Sequence, residues 1–358
     1  MVKLLVLHNK ILPYREKIFE LLDKHYDLTV AFSDPQSLNK NYNFKTIYTP
    51  GKWKGPFFVH DKSLNALCSQ YEAVLTSLEV RSISIMGLSL VSRRKYSLTR
   101  WGIGVSASYA SRYDENKRWD FLRYFFAKRA DSIVFYSHYP VEKYVNAGLK
   151  RDKLFVANNT TPVSPNLNPE AKKESFLFVG TLYKEKGINI LLEAYGALKD
   201  ISEHDLPLLN IIGEGPERQF IEQWIKEHGM ENKVFLHGAI FDDEILRTFY
   251  EKSIACVSPN QAGLSVLSSM GYATVFVTEK TAITGGEIFN ITNMVNGILY
   301  EGGAAELTGK LKWIVDNKQK VIEMGKMAKK HYDQECTPEG LVNSLIEAVS
   351  YALKEKNK

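Results

Sequence analysis

Four stretches of this chain set glycines and polar residues at strand ends, and two of them suit the handling of an anion. The first is Ser258-Pro-Asn-Gln-Ala-Gly-Leu-Ser-Val-Leu-Ser-Ser-Met-Gly271, set between the apolar runs 254–257 and 272–278. Leu264, Leu267 and Met270 keep helical spacing, so the stretch reads as strand, polar turn, helix, strand. Ser258 and Asn260 are good turn or N-cap residues, and Gly263 lets the backbone approach a ligand closely. A helix start offers unpaired N–H groups and the positive end of a dipole, which together hold a phosphate. Taken alone, the stretch also reads as one ordinary βαβ unit among several. The second stretch, Gly180-Thr-Leu-Tyr-Lys-Glu-Lys-Gly187, follows the strand 175–179; its strand-end glycine and two lysines suit an anion, as they suit a plain surface loop. The third, Gly213-Glu-Gly-Pro-Glu-Arg218, follows the strand 208–212. It is not the dinucleotide fingerprint, because Arg218 stands where the third glycine belongs, and this disfavours a dinucleotide-dependent oxidoreductase. The fourth is Thr284-Gly-Gly-Glu-Ile-Phe-Asn290, a glycine-bearing loop around Glu287. Near the start of the chain, His8 ends the first strand and Arg15 follows Pro13-Tyr14. The histidine suits a hydrogen-bonded structural role, and the arginine an anion contact.

These residues need elements to hold them. The pattern predicts strands at 3–7, 27–32, 45–48, 73–75, 132–136 and 153–157 in the first half. Helices are expected at 16–24, 63–69, 83–92 and 140–147, and 51–56 reads as a loop. The second half repeats the alternation, with strands at 175–179, 208–212, 234–236, 254–257, 272–278 and 298–300. Its helices are expected at 188–198, 219–228, 242–252, 304–316, 318–332 and 338–354. Alternating strand and helix predicts α/β architecture with doubly wound parallel sheets, whose ligands sit beyond the C-terminal strand ends. The Pro- and Asn-rich segment 158–169 is the best linker. We therefore expect an N-terminal domain at 1–165, a C-terminal domain at 166–335, and a last helix at 336–358 that returns to the first domain.

Composition sets outer limits. The 358 residues are 44% hydrophobic and 24% charged, as in a soluble globular protein. Cys68, Cys256 and Cys336 are far apart and form no metal spacing, so they read as reduced thiols. The opening residues 1–8 are too short and too quickly polar for a signal peptide, and no apolar run reaches the roughly 20 residues of a membrane span. The net charge of +5 is unevenly placed. Residues 91–130 hold ten basic residues (Arg93, Arg94, Lys95, Arg100, Arg112, Lys117, Arg118, Arg123, Lys128 and Arg129) against Asp114, Glu115 and Asp120. Aromatic residues, Tyr109 and Trp119 among them, are interleaved. The segment 119–129 has the mixed character of a helix lying on a membrane surface, and equally that of a solvated helix with an aromatic core face. No nucleic-acid motif accompanies it.

Taken together and in order, four segments resemble the donor half of GT-B glycosyltransferases, in the large retaining group often called family 4. They are Phe178-Val-Gly-Thr-Leu-Tyr-Lys-Glu-Lys-Gly187, Ile211-Ile-Gly-Glu-Gly-Pro-Glu-Arg218, Val234-Phe-Leu-His-Gly238, and Ser258-Pro through Met270 with Asn296-Gly-Ile-Leu299. The resemblance covers roughly residues 130–350. In the first half, Pro13-Tyr14-Arg15 and Trp101-Gly-Ile-Gly104 are similar to segments of bacterial polysaccharide transferases.

The resemblance implies two Rossmann-like domains facing a cleft. A nucleoside-diphosphate sugar would be co-substrate, with no bound metal or other cofactor. It places Gly180, Thr181, Lys186, Gly213, Glu214, Gly263, Leu264 and Ser265 at the donor, with the base near His237 and Ile240. His8, Arg15, Trp101 and Ile103 fall on the acceptor side. The chain departs from the family pattern at several points. Thr181 stands where an arginine is usual, Asn260 and Ser268 replace the two glutamates of the E-x7-E signature, and Ile103 replaces a histidine. Pro259-Asn-Gln-Ala-Gly-Leu264 resembles a surface-polysaccharide branch with Pro-Gly-Asn-x-Gly-Leu at this place. There Lys186, Asn260 and Glu287 would carry the chemistry, although Glu287 reads equally as a cap on 288–291. The implied activity is sugar transfer to a glycan carried on lipid, at the cytoplasmic face of the inner membrane, with residues 91–130 on the bilayer. A non-catalytic partner subunit and a nucleotide-sugar epimerase are the other readings.

Overall fold

The computed structural model describes residues 1–108, 112–168, 170–201 and 206–357, so Tyr109 and Pro169 lie outside the described residues. The chain forms two compact units. One contains Met1–Ala107, Tyr113–Thr161 and Thr337–Lys358; the other contains Ser108–Arg112 and Pro162–Cys336. Each is built on its own parallel sheet, as expected from the alternating pattern.

In the first unit seven parallel strands lie in the order Leu154–Val156, Ser132–Phe135, Ser97–Gly102, Ala73–Ser77, Lys3–Leu7, Asp27–Phe32 and Lys45–Tyr48. The chain starts in the middle at Lys3–Leu7, runs to one edge, then returns through Ala73–Ser77 to the other. The sheet therefore has a switch point between those two strands, and a crevice opens there at their C-terminal ends. Leu4, Leu5, Val6 and Leu7 are all buried, because helices cover both faces of a parallel sheet. One covering helix is the last, Pro338–Lys356. Thr337 caps it by accepting from the Gly340 amide at 3.1 Å, and Pro338 fits its first position. Its Leu341, Leu345 and Val349 enter the same core as Leu4, Phe19 and Trp101.

The strand Ser97–Gly102 is absent from the sequence expectation, which counted its Arg100 and Trp101 as part of a basic, aromatic surface. Arg100 is fully buried instead. It donates to the Ser77 and Ile85 carbonyls at 3.2 and 3.0 Å and to the Ser89 hydroxyl at 2.6 Å. Burial pulls its guanidinium down to about 9, still charged at neutral pH. The expected helix 83–92 is shorter, Ile83–Gly87 followed by the 3₁₀ turn Leu88–Leu90, because this arginine takes its carbonyl at Ile85. The expected loop 51–56 is also corrected: Gly51–Lys54 and Phe57–His60 form an antiparallel hairpin, and Gly55 and Pro56 are its two-residue turn.

In the second unit six parallel strands lie in the order Val234–Leu236, Leu208–Ile212, Ser175–Val179, Ser253–Val257, Val275–Glu279 and Gly297–Tyr300. Helices Ile188–Ile201, Arg218–Glu227, Asp243–Lys252, Leu264–Gly271, Gly303–Asp316 and Lys318–Glu335 connect or flank them. Here the switch point lies between Ser175–Val179 and Ser253–Val257, which places the loops after Val179 and after Val257 side by side.

Candidate functional site

The site of the second unit begins with three loops stitched together by their backbones. The Gly180 amide donates to the Ile212 carbonyl at 2.9 Å, Leu182 to Glu214 at 2.9 Å, and Gly213 to Gly238 at 2.8 Å. A Cβ on Gly213 would meet the Gly180 oxygen at 1.9 Å, and one on Gly215 the Leu182 oxygen at 2.6 Å. These glycines let the loops cross in contact, and they hold φ values of +152° and +158° that side chains rarely adopt.

Lys186 ends the 3₁₀ turn Lys184–Lys186, and Gly187 at φ +74° turns the chain into the helix Ile188–Ile201. The Lys186 ammonium lies on Gly180: Nζ is 2.8 Å from where a Cβ there would stand. It makes no hydrogen bond or ion pair among the described residues, and burial holds it below the usual lysine range. Asn260 arrives from the other loop. Its amide nitrogen donates to the Lys186 carbonyl at 3.3 Å, and its side chain rests against Gly187, with Cγ 2.8 Å from the site of a Cβ. Gly180, Lys186, Gly187 and Asn260 are thus brought together at the switch point.

Four residues beyond Asn260 the helix Leu264–Gly271 begins, with Gly263 as its N-cap. Ser258 shapes the turn by donating to the Gln261 carbonyl at 2.9 Å and does not cap the helix. The space over Gly263 is open, a Cβ there meeting only Gln261 Nε2 at 4.0 Å. The Leu264 and Ser265 amides have no intrachain acceptor among the described residues. An unpaired ammonium, a carboxamide and free helix amides form a set that complements a diphosphate and the hydroxyls beside it.

The other residues expected at the donor are placed less directly. Ser268 is half-buried with the Tyr250 hydroxyl alongside. Thr181 is exposed on its loop, and Glu214 pairs with Arg218 at 2.6 Å. His237 bonds Asn210 Oδ1 at 2.8 Å and packs on Phe249, while Ile240 is partly buried against the core. Glu287 is buried and folds back on its own loop, accepting from the Gly285 amide at 2.8 Å and from Thr284 Oγ1 at 3.3 Å at the start of the turn Glu287–Asn290. The Ile288 amide is met by Thr284 Oγ1 at 3.2 Å, and the carboxylate bonds back to residues before it instead of capping 288–291. Among the described residues no group of three or more His, Cys, Asp or Glu side chains is placed to hold a metal ion.

In the first unit Arg15 and Trp101 meet. Arg15 is 2% exposed, its guanidinium 4.3 Å from the Trp101 ring centre, and Nη2 donates to the Tyr136 hydroxyl at 2.8 Å. Its Nε and Nη1 have no hydrogen-bond partner among the described residues. His8 stands close to Arg15. Burial, with that positive charge, brings its imidazole down to about 4, so it is neutral and its Nδ1–H donates to the Lys10 carbonyl at 2.8 Å. Ile103 is half-buried just past the strand. The sequence reading overlooked Trp53, Phe58 and His60 of the hairpin, which line a cavity of about 280 Å³ with His8. The signal was present: a two-residue Gly-Pro turn between Lys-Trp-Lys and Phe-Phe-Val-His. The basic region also contracts. Arg94 is held bidentate by Asp131 at 3.0 and 3.1 Å, and Arg123 by Asp120 at 2.6 Å, so with Arg100 three of the ten cations face inward partners.

Residues 161–331 match the family Glycosyl transferases group 1. D-rhamnosyltransferase WbpZ of Pseudomonas aeruginosa is 28% identical over 164 residues, 44% of this chain and 40% of that protein. The glycosyltransferase MJ1178 of Methanocaldococcus jannaschii is 25% identical over 213 residues, 58% of this chain and 57% of that one. The matched part thus spans about half the length of these relatives. Among solved structures, a glycosyltransferase from Rickettsia africae has a TM-score of 0.74 at 15% identity, with 99% of each chain covered. Anabaena Alr3699/HepE in complex with UDP has a TM-score of 0.72 at 16% identity, with 97% of this chain and 99% of that one covered. The chain therefore has the GT-B fold, and its residues 161–331 are similar to the glycosyl transferases group 1 domain.

Proposed function

We propose that this chain is a glycosyltransferase. It takes a sugar from a nucleoside-diphosphate donor on its second unit and passes it, with configuration retained, to a lipid-carried glycan on its first. The observation that carries this reading is the unpaired Lys186 ammonium beside Asn260, with the open helix start of Gly263, Leu264 and Ser265 following in the same loop.

The chemistry follows from where charge grows. As the bond from sugar C1 to the diphosphate oxygen breaks, negative charge builds on the leaving group. Lys186 and the two helix amides are fixed to meet it in a partly water-excluded place. A unit charge pair at 4 Å is worth about 4 kcal/mol near a protein surface, the scale of a hundredfold or more in rate. On the retaining route the acceptor oxygen bonds C1 on the face the diphosphate leaves, and its proton passes to the departing phosphate oxygen. No protein carboxylate is needed as base, and no resident metal is invoked. Asn260 then serves the donor sugar with one carbonyl and two N–H donors.

The working place is an anionic membrane surface on the cytoplasmic side. The helix Asp120–Lys128 leaves Phe121 66% and Phe125 40% exposed, with Arg118, Lys128 and Arg129 also exposed around them. No helix among the described residues is long and apolar enough to cross a membrane.

The test is a thermal-shift panel of UDP, GDP, CDP and ADP with their sugars. A ligand that binds only the native state raises Tm by mass action. One nucleotide should give a shift that Lys186→Ala loses. No shift at millimolar ligand would remove the donor site. One observation favours a second reading, a non-catalytic nucleotide-binding partner: Glu287 is turned onto its own loop, and Asn260 and Ser268 offer no charge. Nucleotide binding without any donor turnover would select it.

A further inference from the structure

The cavity of the first unit has a composition that says what it holds. It opens at the switch point of the sheet, beyond the ends of Lys3–Leu7 and Ala73–Ser77, and the hairpin Gly51–His60 forms one wall. Strand periodicity builds that wall. Phe58 and His60 are two residues apart and share a face, Trp53 is registered opposite Phe58, and Gly51 opposite His60. Trp53 and Phe58 pack edge to face at 5.5 Å, as do Phe58 and His60 at 5.1 Å. Gly51 has no side chain because the Phe58 ring lies across it, 2.8 Å from where a Cβ would stand. The wall is anchored: the Phe58 amide donates to the Arg81 carbonyl at 2.9 Å, and the His60 amide to Ser84 Oγ at 2.9 Å. Trp53 nevertheless keeps 55% of its surface exposed.

The rest of the lining sets polar groups beside Leu7, Ala31 and Ile85 and carries no net charge. Ser33, Thr49, Ser77, Ser82 and Asn9 supply hydroxyl and amide groups. Glu79 and Arg81 neutralise one another at 3.0 Å, and no lysine lines the cavity. Burial keeps His8 and His60 neutral. One nitrogen of His60 meets Ser33 Oγ at 3.1 Å, while the other, Nδ1, is buried with no hydrogen-bond partner among the described residues. A neutral imidazole nitrogen left open can take one hydroxyl, as donor or acceptor according to tautomer.

We propose that this cavity is a subsite for one uncharged sugar ring, its C–H face laid on Trp53 and its hydroxyls met by His60 and the serines. A pyranose has an apolar C–H face and a polar rim, which an aromatic wall and a hydroxyl-lined floor complement together. A phosphate or uronate would find no unpaired cation here. The subsite rests on the glycosyltransferase reading only for its purpose, as the place where the acceptor's terminal sugar sits.

The experiment is saturation-transfer NMR on the full chain. The probes are the methyl glycosides of glucose, galactose, mannose, rhamnose and N-acetylglucosamine, and methyl glucuronide, with the four nucleoside diphosphates in separate samples. At least one neutral glycoside should receive saturation. Trp53→Ala should weaken that signal tenfold or more, and Trp53→Phe should restore part of it. The nucleotide signal should be unchanged, because the loops proposed to hold the nucleotide belong to the other unit. Absence of signal with every neutral glycoside, an unaltered signal in Trp53→Ala, or preference for the glucuronide would each overturn the proposal. A glycoside that binds through Trp53 while no nucleotide binds would remove the transferase reading and leave the subsite standing.

Discussion

At the residue scale the most informative group is Lys186. On the proposed mechanism its ammonium acts charged, yet burial lowers its proton affinity, so it deprotonates at a lower pH than an ordinary lysine. A bound diphosphate restores the charged form. The alkaline fall of kcat/KM, which reports the free enzyme, should therefore come at lower pH than the fall of kcat. Lys186→Arg should move both beyond the assay range, and Lys186→Ala should cost a hundredfold or more at every pH with an unchanged melting curve. A kcat/KM profile flat to pH 10 would count against the assignment. Gly213 makes a different demand. A methyl group there would overlap the Gly180 oxygen at 1.9 Å, so Gly213→Ala must push two loops apart. It should destabilise the second unit by about 2–4 kcal/mol and abolish the nucleotide shift, whereas Gly263→Ala, over open space, should fold normally.

At the scale of elements, the last helix is the clearest case of sequence and structure agreeing. The spacing of Leu341, Leu345, Val349 and Leu353 already marks an amphipathic helix, and three of those four are buried in the first unit. Ending the chain at Cys336 removes Leu341, Val342, Leu345, Ala348 and Val349 from that core. Deleting even one buried leucine costs about 2–5 kcal/mol. The truncated chain should lose the melting transition of the first unit and keep that of the second. A single unshifted transition in calorimetry would refute this. Most strands were legible for the same reason: a buried parallel strand is a nearly continuous apolar run. Ser97–Gly102 was not, because Thr99 and Arg100 interrupt that run and their burial is justified only by partners distant in sequence, Ser132 for one and the Ile85–Ser89 turn for the other. The hairpin was hidden differently: Gly55 and Pro56 read as loop punctuation when they are its turn. In the site, the lysine loop and the Ser258 stretch were legible from glycine and strand-end position. The inward turn of Glu287 was not, since a carboxylate that bonds its own loop and one that meets a ligand look alike in sequence.

At the scale of the whole molecule, what matters for a membrane is which charges remain outside after folding. Removing Arg94, Arg100 and Arg123 from the ten cations leaves seven, and two acids of the region are also engaged: Asp120 with Arg123, and Asp114 with Lys117 and Lys143. The exposed remainder includes Lys128 and Arg129 beside Phe125, the Arg129 guanidinium 3.7 Å from its ring centre. On the membrane reading, two forces would act on the same helix and respond differently to salt. Attraction between exposed cations and anionic lipid amounts to about 1 kcal/mol per residue and is screened over about 10 Å at 0.1 M salt. Burial of aromatic surface is not screened. Lys128→Glu with Arg129→Glu should therefore reduce sedimentation with phosphatidylserine-containing vesicles tenfold or more at low salt and little at 0.5 M. Phe121→Ser with Phe125→Ser should reduce it at both. Arg94→Glu is no clean probe, because it leaves Asp131 facing a like charge inside the fold. If neither double variant changes vesicle binding, the helix serves the core of the first unit alone and the membrane reading falls with it.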